Sequence, residues 1–263
     1  MDSGDHSILT QAGAPGSCRE SLGAVLCRRR AVVLLAVACL GTAACGPRRA
    51  EPPAPGPATA APRAAIPTGA REFEVDPDES VVSILVRRAG KLSSFGHVHV
   101  VTSADETGRV WFGATADLSG FEVRVPVDGF VVDDPAARAA AGAEFAAKVP
   151  DEARSGTRRN MLGPDVLDAV RYPEIVVSSA GPLSDTVSST LMVRIVVRGA
   201  QIEREVPVTA RIASASVSAS GSFTVLQSDL GIKPFSIVGG AVAVADQVEI
   251  RFDIIARAVG GSR

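Results

Sequence analysis

Val248-Glu249-Ile250-Arg251-Phe252-Asp253-Ile254 alternates apolar and charged residues without a break. A period of two sends Val248, Ile250, Phe252 and Ile254 to one face of a strand and the three charges to the other, whereas a helix would scatter both sets around its axis. One dry face and one wet face mark an antiparallel sheet. Phe121, Val123, Val125 and Val127 repeat the pattern against Glu122, Arg124 and Asp128, and Ala213, Ala215, Val217 and Ala219 repeat it against four serines. Further strands are expected near residues 80–87, 98–103, 109–115, 174–178, 190–198, 202–212 and 222–227, with Gly199 marking a hairpin. The fold class is therefore mainly β and antiparallel. Periodicity alone leaves a sandwich and a closed barrel equally open.

Two stretches break the alternation. Residues 133–148 are rich in alanine, with Asp134 suited to cap and Pro135 to start a helix. Further on, Gly163-Pro164 suits a helix start and Tyr172-Pro173 a stop, with Val166, Leu167 and Val170 at helical spacing on one apolar face. On its own this second block is a connecting helix packed on a sheet. Asp165 with Asp168, and Glu203 with Glu205, are expected on solvated faces.

The flanks add a resemblance. Ser93-Ser-Phe-Gly-His-Val-His-Val100, Leu191-Met-Val-Arg-Ile-Val-Val-Arg-Gly199, Gln227-Ser-Asp-Leu-Gly-Ile-Lys-Pro-Phe-Ser236 and Val248-Glu-Ile-Arg-Phe252 succeed one another in an order and spacing that resemble the YceI-like family of lipocalin-like barrels that bind polyisoprenoids. The resemblance spans residues 73–259 and is most specific at 158–173 and 227–232. Asn160-Met161 departs from it, since many members carry a charged residue and then His there. Gly96-His97-Val98-His99 looks like a feature of a subgroup. The resemblance implies a lipocalin-like barrel with a short helical excursion near one end, forming a flap over the mouth. It also implies a long apolar ligand such as a quinone tail or polyprenol.

All four cysteines, Cys18, Cys27, Cys39 and Cys45, precede residue 46, so disulfides cannot scaffold the remainder of the chain. Arg28, Arg29 and Arg30 lead into an apolar run that ends in Gly41-Thr-Ala-Ala and then Cys45. Roughly 14 apolar or small residues are short of the ~20 needed to cross a bilayer, so the run is expected to be an export signal. Cys45 after two alanines resembles a bacterial lipobox, although Thr42 stands where leucine is usual; the alternative is ordinary secretion with cleavage near Ala44. The chain thus divides into a leader and signal over residues 1–45, a Pro/Ala-rich disordered tether over 46–70, and a barrel domain over 71–260. The expected location is the periplasm or cell envelope.

The net charge of −2 and the scattered basic residues make nucleic acid and an anionic membrane surface poor partners. No Gly-x-Ser-x-Gly elbow, cysteine nucleophile or phosphate loop occurs in the domain, so an enzyme is not expected. His97 and His99, two residues apart on a strand, would share a face and could chelate a metal. Such a site needs three or four ligands, and no others are identifiable, so a metal or metal-dependent enzyme is the alternative reading. A ligand-free interaction module is a third. A binder needs only apolar surface, at roughly 25 cal/mol per Å2 buried. Candidate ligand residues are His97, His99, Phe121, Phe130, Met161, Leu162, Leu167 and Phe235, with Arg158 and Asn160 placed to meet a polar headgroup. No cofactor is expected beyond a bound isoprenoid lipid. Partner expectations are that lipid, the membrane through an acyl anchor at Cys45, and a homodimer left open.

Overall fold

The computed structural model describes residues 62–103, 105–183 and 188–260. The leader, Cys45 and most of the tether lie outside them. Twelve strands form one antiparallel sheet: β1 (Arg71–Val75), β2 (Val81–Ala89), β3 (His99–Ser103), β4 (Thr107–Phe112), β5 (Gly120–Pro126), β6 (Val131–Val132), β7 (Glu174–Ser179), β8 (Ser188–Val197), β9 (Ala200–Ile212), β10 (Ser216–Leu226), β11 (Ser236–Ile237) and β12 (Val242–Ala258). Eight of them, in the order β1-β4-β5-β7-β8-β9-β10-β12, close on themselves through β1 and β12. The domain is a closed eight-stranded antiparallel barrel, as the resemblance implied. Among the described residues the α-helices are α1 (Pro135–Ala141) and α2 (Asp151–Leu162).

The long strand β12 organises the closure. One of its edges pairs along β10 from Gln247 to Arg257, while the other is shared between β2, which takes Ala243 to Asp253, and β1, which takes Ala256 to Ala258. Between β1 and β2 the chain leaves the ladder: the Asp76 amide donates to the Ile255 carbonyl at 2.8 Å, and the Ser80 hydroxyl stands in as acceptor of the Ile255 N–H at 3.0 Å while donating to the same carbonyl at 3.3 Å. Near its start β12 carries a bulge between Val244 and Val248. The residues 227–232 plug it. The Gln227 amide donates to the Ala245 carbonyl at 2.8 Å, the Ser228 hydroxyl donates to Asp246 at 2.6 Å, and Gly231 turns back at φ 68° so that Leu230 and Ile232 enter the core. That turn requires glycine.

Inward positions of the strands form the core, as the alternation demanded. One cluster gathers Phe73, Val75, Val101, Val123, Val125, Val127, Phe130 and Val132; the other gathers Val193, Ile195, Val197, Val206, Val208 and Val248. Leu85 and Val100 face outward, and they are covered by Phe145 together with Ala137 and Ala141 of α1. Arg87 lies 5.5 Å over the Phe145 ring and pairs with Glu144, clamping this cover onto β2.

Several expectations need correction. No helix starts at Gly163. The helix instead runs from Asp151, with two acidic residues in its first turn, and Gly163 ends it. Residues 163–172 form successive turns, because Asp168 adopts φ 48°, which a helix interior cannot hold, and because the amides of Leu167 and Ala169 fold back onto the open carbonyls of Met161 and Leu162. Val170, placed on an apolar face by helical spacing, is 84% exposed. Asp168 is mostly covered and sits 3.8 Å from Arg171. The alternating stretch 213–219 is not one strand: β9 stops at Ile212 and β10 starts at Ser216, with the Ala213 amide bonded to the Ser216 carbonyl across the turn. Alanine and serine fit a tight turn as readily as a strand face, so their alternation ran on unbroken.

Glu122 and Arg124 depart from the wet face assigned to them and are buried. Residues 62–70, read in the sequence as the end of the tether, run down the outer wall over them. The Ala64 amide donates to Glu122 at 2.9 Å, and Arg124 donates to the Pro62 carbonyl at 3.2 Å while bridging Glu122 and Glu174, both at 2.9 Å.

Candidate functional site

One barrel end is built from the C-termini of β2, β5, β8 and β10 and the N-termini of β3, β7, β9 and β12. The chain between β6 and β7 crosses it, carrying α1, α2 and the turns 163–172. Apolar side chains point from this lid toward the lumen: Met161 and Leu162 pack on the first core cluster, Val166 on the second, and Leu167 on both. Phe121, Ile84 and Ile175 also touch both clusters, so they stand where the two halves of the lumen meet.

Polar contacts fix the lid on opposite rims. On one rim Arg158 donates to the carbonyls of Phe130 at 3.2 Å and Asp128 at 2.6 Å, and Arg154 reaches the Asp133 carbonyl at 3.4 Å. On the other, Arg198 in the β8–β9 hairpin donates to the carbonyls of Pro164 at 3.0 Å and Asp165 at 3.2 Å. Arg198 can aim there because it takes φ 53° beside Gly199 at φ 77°, the paired left-handed residues of a tight hairpin.

Under the lid lies a buried ionic hub. The Asp133 carboxylate is fully buried, accepts from the Val100 amide at 2.9 Å, from His99 Nδ1 at 2.6 Å and from Arg138. Burial alone opposes its charge. The hydrogen bonds from His99, Val100 and Arg138 and the electrostatic attraction of His99 outweigh that, and hold Asp133 below the usual carboxylate range. An ionised carboxylate only accepts, so Nδ1 carries the proton and Nε2 faces Thr157 Oγ1 of α2 at 3.4 Å. Hydroxyl, imidazole and carboxylate thus stand in the order of a catalytic relay. At 3.4 Å the hydroxyl contact is at the outer limit of a hydrogen bond, and Asp133 is also paired to Arg138, so the set holds α2 to the rim.

The candidate residues separate by place. His99 is buried in the hub, while His97 is exposed just before β3, its ring centre 6.1 Å from that of His99. Among the described residues no group of three or more His, Cys, Asp or Glu is placed to hold a metal ion. Met161, Leu162 and Leu167 point from the lid toward the lumen, Phe121 packs on both clusters near the end of β5 remote from the lid, and Phe130 is buried in the first cluster. The Arg158 guanidinium is engaged with loop carbonyls, and Asn160 is exposed on the outer side of α2. Phe235 is on the outer rim, 44% exposed. Cys45 lies outside the described residues.

Asp133, Arg138, Thr157 and Arg198 were not singled out in the sequence. Only Asp133 carried a local signal, as the first of two acids before Pro135.

Comparison with known proteins agrees with this architecture. A family model described as a YceI-like domain matches residues 73–256. No curated protein matches the chain significantly. Among solved structures, BcnA of Burkholderia cenocepacia is 17% identical, with a TM-score of 0.50, over 69% of this chain and 98% of its own. A polyisoprenoid binding domain from Saccharophagus degradans, implicated in plant cell wall breakdown, is 9% identical with a TM-score of 0.48, over 71% of this chain and 98% of that one. A YceI protein of Campylobacter jejuni is 11% identical with a TM-score of 0.42, over 60% and 83%.

Proposed function

The chain belongs to the YceI-like domain family, and from that membership we propose that it is an exported, membrane-tethered carrier that encloses a long apolar lipid of isoprenoid type. One observation supports this most. Inward side chains on β2, β7, β10 and β12, namely Ile84, Ile175, Ala219, Phe223, Ile250 and Phe252, remain only partly buried although the barrel is closed around them. Apolar surface that faces inward and stays accessible is surface a guest can cover, at about 0.8 kcal/mol per buried CH2. The two core clusters and the lid's Met161, Leu162 and Leu167 offer hydrocarbon surface, and the inward Arg204 of β9 is paired with Asp229, which suits a hydrocarbon chain over a charged metabolite. His99 Nδ1 is held by the buried Asp133 carboxylate, which gives the hub a structural use.

The ligand is tested by delipidating the protein and titrating it with a prenyl quinone, a polyprenol and a straight-chain lipid of equal length. Binding to the folded state alone should add about 2.7 kcal/mol of stability at a hundredfold excess over Kd. Failure of all three to bind or stabilise, with native extracts also empty, would sink the carrier reading. The tether is tested separately: Cys45→Ser should move the protein from the membrane fraction to the soluble fraction and abolish acyl labelling, since stable anchoring without a span depends on acyl chains. Unchanged fractionation and labelling would refute it.

A further inference from the structure

Two connections leave the barrel at the mouth end side by side, one between β2 and β3 and the other between β10 and β12. The Leu92 amide donates to the Ala241 carbonyl at 2.8 Å, the Val244 amide to the Phe235 carbonyl at 2.9 Å, and β11 pairs Ile237 with Val242. Their outward side chains are large and apolar: Phe95 is 77% exposed, Ile237 50%, Phe235 44% and Leu92 42%. Four such residues on adjoining loops form a patch that isolated surface hydrophobics do not.

Within the two connections the charges have one sign. Residues 88–97 and 230–245 contain Arg88, Lys91 and Lys233 and no aspartate or glutamate. Arg88 donates to the Gly96 carbonyl at 3.1 Å, and neither Lys91 nor Lys233 has an ion-pair partner among the described residues. The nearest acids are occupied elsewhere, Asp229 with Arg204 and Asp246 with Ser228.

Where the tether joins the domain gives an independent direction. β5 runs from Gly120 toward the mouth at Pro126, and the strap 62–70 runs the opposite way along it: Pro62 sits at Arg124, Ala64 at Glu122, and Ala65 and Pro67 beside Trp111 and Ser119 at the far end. Pro62, the first described residue of the strap, therefore lies on its mouth side. Only residues 46–61 separate Pro62 from Cys45, a reach of at most about 60 Å.

We propose that the rim formed by Leu92, Phe95, Phe235 and Ile237, with Lys91 and Lys233 beside it, docks on an anionic bilayer, so that the lidded mouth of the barrel lies against the membrane surface. The apolar side chains enter the headgroup and acyl boundary and the lysines face lipid phosphates. This goes beyond the carrier reading and departs from the expectation that an anionic surface is a poor partner, because net charge averages over a chain whose two mouth connections carry basic residues alone; its test contains no ligand, so the carrier and docking readings can fail separately.

The protein's single native tryptophan, Trp111, is buried at the end of the barrel remote from the mouth and serves as an internal control. Phe95→Trp in the full chain places a second indole on the rim, at a position exposed enough to leave the fold unchanged. With vesicles of phosphatidylcholine and phosphatidylglycerol carrying brominated acyl chains, the added fluorescence should blue-shift and be quenched, and the unsubstituted protein should show neither effect. Lys91→Gln with Lys233→Gln in that background should weaken partition about 25-fold, fivefold per charge. Protein that binds the vesicles while Phe95→Trp stays unquenched would overturn the proposal, as would quenching indifferent to the two lysines. A blue shift that tracks protein concentration in the absence of vesicles would overturn it in favour of a second copy covering the patch.

Discussion

Asp133→Asn isolates the charge of the hub with little change of shape. Asparagine tolerates the left-handed backbone that Asp133 adopts at φ 56°, whereas alanine would add strain there. The carboxylate is fully buried and faces the nearly buried Arg138 guanidinium, the His99 ring and the Val100 amide. An amide can accept on one side only, and it leaves the Arg138 cation in place without its counter-charge. Breaking one partner of a buried pair costs about 3–5 kcal/mol, and each lost charge-assisted bond about 1.5–3, the two figures overlapping rather than adding. We expect a loss near 3 kcal/mol at neutral pH, a shift of the urea midpoint of about 1–2 M. The pH dependence carries the sign. Because folding holds the Asp133 carboxyl below its ordinary value, its stabilisation is complete above about pH 4 and is lost as pH falls through the folded value. The gap between wild type and Asp133→Asn should therefore be widest near neutrality and close toward pH 2–3. Hydrogen exchange should also quicken in α2, whose Arg154 rests on the Asp133 carbonyl. A variant within about 0.5 kcal/mol of wild type at pH 7, or a gap unchanged at pH 3, would refute the reasoning.

Glu106 is fully buried, and that burial, with Asp105 adding to it, pushes its carboxyl up against the weak hydrogen bonding of Ser103 and of the Glu106 and Val82 backbone. A raised folded value favours the protonated form, whose contribution fades as pH rises through it; Glu106→Gln should thus gain on wild type between pH 5 and pH 8 in paired urea titrations, and a gap independent of pH would contradict this. Leu167→Asp puts a charge where the lid meets both core clusters, and uptake of a prenyl quinone should fall tenfold or more while the unfolding midpoint moves less; equal losses of binding and stability would make Leu167 ordinary core.

Strand periodicity was legible where each residue has one neighbour above and one below the sheet, as in β12 and β5. It failed where a second layer intervened. Glu122 and Arg124 read as wet because nothing local announces that residues 62–70 return over them, and Leu85 and Val100 gave no sign of the cover that α1 and Phe145 provide. The lid failed for a different reason. Proline at a first helical position fits a turn equally well, and what ends α2 is the folding back of 167–169 onto its carbonyls, a contact set by tertiary packing on the lumen.

The same distinction explains what the resemblance could and could not carry. The stretch 227–232 is specific in sequence because it plugs a bulge, a task that demands an amide at Gln227, a hydroxyl at Ser228 and a left-handed glycine at Gly231 at fixed spacing. The hub places no such demand on neighbours in sequence. His99, Asp133 and Thr157 come from β3, the loop before α1, and α2, so they meet only after β2 and β3 have joined β12 and the lid has crossed the mouth. A pair of histidines two apart suggested chelation, yet β3 begins at His99 and leaves His97 outside the ladder, where its ring is held by no strand partner. Register at the first residue of β3 therefore decides which of the two imidazoles enters the buried hub and which stays at the surface.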